Sequence, residues 1–533
     1  MDPIATARTL LPPWVPLLPL FALPLGFAAG ELAARVLTPL AYRRVLAAPD
    51  AHWTERARRA WPARRWASLA MIVIPTLIGG LLAHLGGTLT LIGRAATGLL
   101  AGAAALAGYA AGMRPVARRL HGDAIGGRRH FLAGSLSLLL VRAPHVVVAA
   151  VVASFMPSRF TGHGAEAAAL LALGTVLVFA AALGGGLALG RLLGLFRSGN
   201  ERLDRAAASA SKHAGVAAPA TLVMACDVPV AFAIPLRRLL VFSDSALALL
   251  NDAELEAVVD HETGHLTESR SVTLQRMSSL LVFTLLMAGP SLAGEGGRTA
   301  FFAVLLSLLA LVAVGAFSRR TAVEMERRAD AHASAHADGG VYARALEKIH
   351  EASLVPAVLG KRNATHPDLW DRMSAAGAPP DWPKPAPPAS GVAGRLALVL
   401  ASALAFVGAE YGLARTLPAI VRRSPVAGVA LTGGEAWPLS ELARARAAGG
   451  MPAAAVAFYR AAFALDGRPG HLANAAFVEN RLNRCAEAQA LADEAGRAAQ
   501  QAGVAEWDRH LAARAAVVAA HCGGATDADD DPD

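Results

Sequence analysis

His261-Glu262-Thr263-Gly264-His265 is the stretch of the 533-residue chain whose residue types and spacing could do chemistry. Side chains four apart share one face of a helix, so the two imidazoles can converge on a divalent ion, with Glu262 beside them. Zinc is the natural partner of such a pair, and it acidifies a water that it holds. Glu262 can then take the proton as that water attacks a peptide carbonyl. The surrounding residues predict the helix. Asn251 or Asp252 is a good N-cap, acidic residues fill the first turn, and Leu255, Val258, Val259 and Leu266 form a buried stripe.

Two histidines and a water leave one ligand to find. Glu324-Met325-Glu326-Arg327-Arg328-Ala329-Asp330 reads as a second helix, on which Glu326 and Asp330 lie one turn apart. Glu326 is the expected third ligand, and Asp330 is expected to hydrogen-bond a ligand histidine from behind. The result is the His2Glu site of a gluzincin, with one Zn²⁺ per chain. Glu324 is the rival third ligand. Asp260 and Glu268 read as solvated helix charges. His332 and His336 also stand four apart, but with no glutamate between them and in alanine-rich polar surroundings they read as a solvated face. The cysteines are Cys226, Cys485 and Cys522, so no C-x-x-C pair offers a thiolate site.

The elements that must position these groups are membrane helices. The chain is 54% hydrophobic and 17% charged, too oily for a soluble protein of this length. Runs near the roughly 20 apolar residues that cross a bilayer fall at 14–37, 67–86, 88–112, 131–156, 166–193, 276–293, 299–317 and 391–417. Pro16, Pro19 and Pro24 interrupt the first. Arg94 reads as a snorkelling membrane-end residue, and Arg142-Ala-Pro-His145 as a kink. The net charge of +9 comes from arginines in short loops with no basic aromatic face, which argues for positive-inside topology and against nucleic acid. A cleaved signal at Leu10–Ala29 is disfavoured, because Arg43, Arg44, Arg56, Arg58, Arg59, Arg64 and Arg65 follow it. Counting from that basic loop places 113–130, 194–275 and 318–390 on the cytoplasmic side.

The expected organisation is a transmembrane region at 1–193 and a peptidase region at 194–377 with two inserted helices near 276–317. A proline-rich linker at 378–390 and a last membrane helix at 391–417 follow. Residues 436–522 carry helical periodicity that loosely resembles tetratricopeptide repeats, and 523–533 is an acidic tail. Cys485 and Cys522 would lie outside the cytoplasm, either paired or as two buried thiols.

Asp252 to Leu266, Glu326-x-x-Ala329-Asp330, and Thr365-His366-Pro367 followed by Arg372 resemble the HtpX-like and CAAX prenyl protease family of membrane zinc endopeptidases. The resemblance covers about residues 200–375. It implies zinc at His261, His265 and Glu326, catalysis by Glu262, and a domain facing the cytoplasm. It also implies His366 and Arg372 near the cleft, stabilising the oxyanion or positioning substrate; taken singly, each equally fits a capped loop or a structural ion pair. Five spans before the catalytic region and a helical C-terminal domain depart from the family pattern.

The expected fold is therefore mainly α: a polytopic membrane protein with a zincin-type metallopeptidase domain and a tetratricopeptide-like domain. Its expected partners are protein or peptide substrates, the lipid bilayer and a protein bound at the C-terminal helices. The alanine- and arginine-rich composition suggests the inner membrane of a high-GC bacterium. A BlaR-type signal-sensing metallopeptidase is the second reading, and an inactive scaffold the third.

Overall fold

The structure, a computed structural model, describes residues 2–83, 91–157, 160, 164–268, 270–294, 297–336, 338–360, 367–432, 435–500 and 504–522. Helices dominate its first third: α1 (Pro3–Thr9), α2 (Leu18–Leu46), α3 (Trp53–Ala83) and α4 (Leu91–His121). They are followed by α5 (Arg128–Arg142), α6 (Pro144–Phe155), α7 (Gly164–Ala180) and α8 (Gly186–Leu192). Among the described residues, Leu18–Leu46, Trp53–Ala83, Ala96–Ala124 and Gly164–Leu192 are long and apolar enough to cross a membrane. The protein is thus an integral membrane protein by the character of these helices. α5 and α6 make a fifth candidate only as a pair bent by 78°. The bend falls at Ala143-Pro144, where the proline removes a helix donor, as the Arg142-Ala-Pro-His145 sequence suggested. Residues 84–90, where the second and third expected spans meet, lie outside the described residues, as does the Arg94 side chain.

The middle of the chain begins with a sheet. β1 (Phe196–Ser198) precedes α9 (Glu201–His213), followed by β2 (Ala220–Met224), β3 (Ala231–Ile234) and β4 (Leu239–Ser243). The strand order is β1-β2-β4-β3, with β2 and β4 parallel and the outer pairings antiparallel. The chain is mostly helical, as expected, and this four-stranded sheet is an element that the expectation did not specify. Leu-Leu-Val-Phe-Ser of β4 is buried at every position, so it shows no alternation to mark it as a strand.

Next come α10 (Asp244–Leu249), α11 (Asp252–Leu266), α12 (Arg270–Ser279), α13 (Val282–Gly294) and α14 (Gly297–His336). The run expected as one span at 276–293 is interrupted: the chain breaks between α12 and α13. At 13 residues α13 is about 20 Å long, short of the roughly 30 Å hydrocarbon core. The run 299–317 is the first half of α14, whose single 40-residue helix continues through the glutamate motif. α15 (Gly339–Ser353) and α16 (Leu369–Ala375) complete this region. The proline-rich 378–390 is not a free linker. Trp382 is buried, stacks edge-on with Trp53 and Trp370, and donates its indole N–H to Glu347.

The last stretch holds α17 (Val392–Arg423), α18 (Pro425–Thr432), α19 (Ala436–Ala448), α20 (Pro452–Asp466), α21 (Pro469–Arg481), α22 (Cys485–Ala499) and α23 (Glu506–Ala520). Consecutive helices from α19 to α23 pack on one another around Phe458, Leu472, Ala476 and Leu491, and Ala7, Leu11 and Val15 join the same core. Gly467 ends α20 in the left-handed conformation, φ 69°, that a side chain would resist. Cys485 and Cys522 are joined in a disulfide.

The chain divides into two compact units, one of residues 1–26, 76–104 and 402–533, the other of 27–75 and 105–401. In the second, α2 and α4 touch through small residues. A Cβ on Gly108 would come within 2.0 Å of the Phe27 carbonyl oxygen, and one on Gly30 within 2.0 Å of that of Ala105. Its core between sheet and helices is built from Leu203, Leu240, Phe242, Leu255, Val258 and Val259.

α11 is started by a capping box. Asn251 accepts from the Glu254 N–H at 2.9 Å, and Glu254 accepts from the Asn251 N–H at 3.0 Å and pairs with Lys348 at 2.7 Å. Burial opposes the Glu254 charge, but Lys348 and the Asn251 N–H outweigh it and hold its pKa below the ordinary glutamate value. A depressed folded pKa adds stability above the unfolded value of about 4.3, and that contribution is lost as pH falls through the folded pKa. Glu254→Gln should therefore cost about 1 kcal/mol at pH 7, or roughly 2–4 °C of melting temperature. Thermal unfolding at pH 7 and at successively lower pH should show this gap closing as pH falls below the unfolded value of about 4.3.

Candidate metal centre

α11 and α14 cross closely enough that a Cβ on Gly264 would sit 3.1 Å from the Ala329 Cα. The glycine of the histidine motif and the alanine of the glutamate motif thus serve the approach of two backbones. That approach sets Glu326 against both histidines: its carboxylate oxygens lie 3.6 Å from His261 Nε2 and 3.6 Å from His265 Nε2. His261, His265 and Glu326 are the metal-type cluster found among the described residues, with one ligand atom from each within 4.8 Å of the others. The two rings stand at 87° with centroids 5.0 Å apart. Glu262 is buried beside them and its charge acts on His261. Glu324, the rival ligand, is exposed and pairs with Arg328 at 3.2 Å instead.

Both imidazoles are held from behind, which leaves their Nε2 atoms for the centre. His261 Nδ1 lies 3.1 Å from Asp330 Oδ1 and 2.8 Å from the Tyr342 hydroxyl. Tyr342 donates to Asp330 at 2.7 Å, and Arg372 donates to both Asp330 oxygens, at 2.9 and 2.6 Å, and to the Tyr342 oxygen at 2.9 Å. His265 Nδ1 faces Glu268 at 3.3 Å. Donors of this kind, two imidazoles oriented by carboxylates plus a third carboxylate, fit a zinc ion.

Electrostatics agree with a site built for a cation. Burial pushes the His261 imidazolium down, yet the hydrogen bond to Asp330, the nearby Glu326 carboxylate and the Glu262 charge override it and raise its pKa to about 9. Asp330 is driven the other way: against its burial, His261 and Arg372 hold it well below the usual carboxylate range.

Several sequence expectations change here. Arg372 is buried with its guanidinium committed to Asp330 and Tyr342, which is the structural ion-pair reading rather than oxyanion contact. His366 lies outside the described residues. Glu268 and Asp260 are not solvated helix charges; their side chains are 3% and 5% exposed, the second paired with His213 at 3.1 Å. His332 is half-buried rather than on a solvated face, while exposed His336 stacks on His213 at 4.6 Å. Tyr342 was missed altogether. Nothing in Gly-Gly-Val-Tyr-Ala-Arg marks it, whereas Glu268, one turn after His265, sits where a ligand's supporting carboxylate would be sought.

The fold and site define a membrane protein carrying an H-E-x-x-H constellation with a glutamate from a second helix. Residues 197–379 match the model of Peptidase family M48. A protein described as "Protease HtpX homolog" from Thermococcus sibiricus is 29% identical over 175 residues, 29% of this chain and 59% of that relative's length. Residues 197–379 are thus similar to Peptidase family M48, and the chain spans about 59% of the length of the HtpX homologue it matches.

The network behind His261 predicts an order of sensitivity. Tyr342→Phe and Glu268→Gln should each weaken metal affinity by roughly 10–100-fold while leaving the fold intact. Glu324→Gln should leave it unchanged. Competition for zinc against a chromophoric chelator measures all three.

Proposed function

We propose that this protein is a zinc-dependent endopeptidase of the membrane, acting on membrane or misfolded protein chains. The observation that carries the reading is the convergence of His261 Nε2 and His265 Nε2 on the Glu326 carboxylate, 3.6 Å from each, with Glu262 alongside. His261, His265 and Glu326 would hold the ion. When bound, zinc supplies the Lewis acidity that polarises the scissile carbonyl and lets water attack near neutral pH.

The remaining steps belong to the chain itself. As the water oxygen bonds to the carbonyl carbon, Glu262 accepts the water proton, then passes it to the amide nitrogen as the C–N bond breaks. Asp330 fixes the proton of His261 on Nδ1, and Arg372 and Tyr342 fix Asp330. Glu268 does the same for His265. These are positioning residues, whose loss weakens the ligand set rather than removing the base. His366 belongs to the proposal as a substrate- or oxyanion-contacting group beside the cleft.

The arginine pattern supports a catalytic domain on the cytoplasmic side of a bacterial inner membrane, with α19 to α23 on the other. The Cys485–Cys522 disulfide supports an oxidising compartment for those helices. Stacked helices of tetratricopeptide-like kind there would bind a protein partner or substrate chain.

Purified protein should contain about one zinc per chain and cleave an unfolded protein, and chelation should abolish the cleavage. Glu262→Gln should keep its zinc and lose 10²–10⁴-fold or more in rate. Retained cleavage in that variant contradicts the mechanism. Cleavage that appears only after an external ligand is added supports the sensor reading, and a metal-free chain that still gathers partners supports the scaffold.

A further inference from the structure

A cavity of about 200 Å³ opens among the ends of α2, α3 and α4 and the loop after α15, away from the metal centre's own residues. One wall is apolar, with Met71, Met113 and Phe131; the other carries Tyr42, Arg64 and His121. Among the described residues, no aspartate or glutamate lines it.

Arg64 makes one hydrogen bond among the described residues, from Nη1 to the Ser353 carbonyl at 2.9 Å. A guanidinium has five N–H donors, so among the described residues most of its capacity is unused and no carboxylate pairs with it. Its neighbours deepen the deficit. Arg142 and Arg64 feel each other's positive charge, and His121 feels both Arg64 and Arg56. Arg56 Nε is buried without a hydrogen-bond partner.

Among the described residues, the groups whose charge would act favourably on Arg64 are Tyr42 and Cys226. Cys226 interacts electrostatically with Arg64 and Arg142, but burial pushes its thiol up to about 11, so it is no counter-ion at neutral pH. The Tyr42 phenol is neutral at that pH as well and is available as a donor. Ionisable groups inside membrane helices are costly and persist where something uses them, and basic pockets between such helices receive phosphate head groups.

We propose that this cavity is an anion site that takes a phosphate group, with Arg64 as its main ligand and Tyr42 and His121 as additional donors. The apolar wall would accommodate whatever hydrocarbon the phosphate carries. The site abuts the peptidase domain: His121 bonds to Ala352 and Arg64 to Ser353, at the end of the helix that carries Tyr342. An occupant would therefore brace α15 against the membrane helices.

The test uses the full-length protein in a neutral detergent at constant ionic strength. Its melting temperature is followed as inorganic phosphate, phosphatidylglycerol or phosphatidylcholine is added. Stabilisation should be saturable, rising by several degrees for phosphate or phosphatidylglycerol and not for phosphatidylcholine or chloride. A response to inorganic phosphate identifies a soluble anion as sufficient, and a response to phosphatidylglycerol alone identifies a lipid head group. R64Q should lose the response and R64K should retain most of it. Tyr42→Phe, which keeps the charge and the packing, should shift the midpoint of the titration about tenfold, and it serves if R64Q does not fold. Absence of any response in the native protein, or an equal response in R64Q, overturns the proposal.

Discussion

The approach of α11 to α14 is the constraint on which the rest of the site depends. Each helix alone offers an incomplete set: two imidazoles on one, a carboxylate on the other. Gly264 lies so close to Ala329 that even a methyl group would meet the Ala329 Cα at 3.1 Å. Ridges of ordinary side chains keep helix axes about 8–10 Å apart. With a glycine and an alanine at the crossing, the backbones come near enough for Glu326 to reach both Nε2 atoms.

Behind that crossing, the site is stiffened by charge. Two carboxylates hold the Nδ1 sides of the histidines, and Arg372 and Tyr342 in turn hold one of those carboxylates. A buried ion pair contributes little net stability when its desolvation is counted, but breaking one is expensive. Here the pairing holds Asp330 in place as an acceptor, so the arginine contributes to the site without touching it.

Much of this site was legible in the chain because helical spacing is a local rule. His261 and His265 share a face, Glu326 and Asp330 are one turn apart, and the structure arranges each pair as that geometry requires. What escaped was contact between elements distant in sequence. Tyr342 reaches His261 across 81 residues, and no periodicity announces it. The sheet escaped because β4 is buried on both faces, so its apolar run is indistinguishable in pattern from a short buried helix. Solvation was misjudged where a charge found a partner from another helix, as Asp260 did in His213. Four of the first five hydropathy runs fall on long apolar helices and the other on a pair bent by 78°, but hydropathy could not show that 276–293 breaks between two short helices.

The central claim is that His261, His265 and Glu326 together hold one metal ion. X-ray absorption at the zinc edge of the zinc-loaded full-length protein tests it most directly. The account predicts two imidazole nitrogens and oxygen ligands per zinc at about 2.0–2.2 Å, with the oxygen contribution reduced in Glu326→Ala and one imidazole lost in His265→Ala. Sulfur ligation, or a spectrum unchanged by both substitutions, would contradict it.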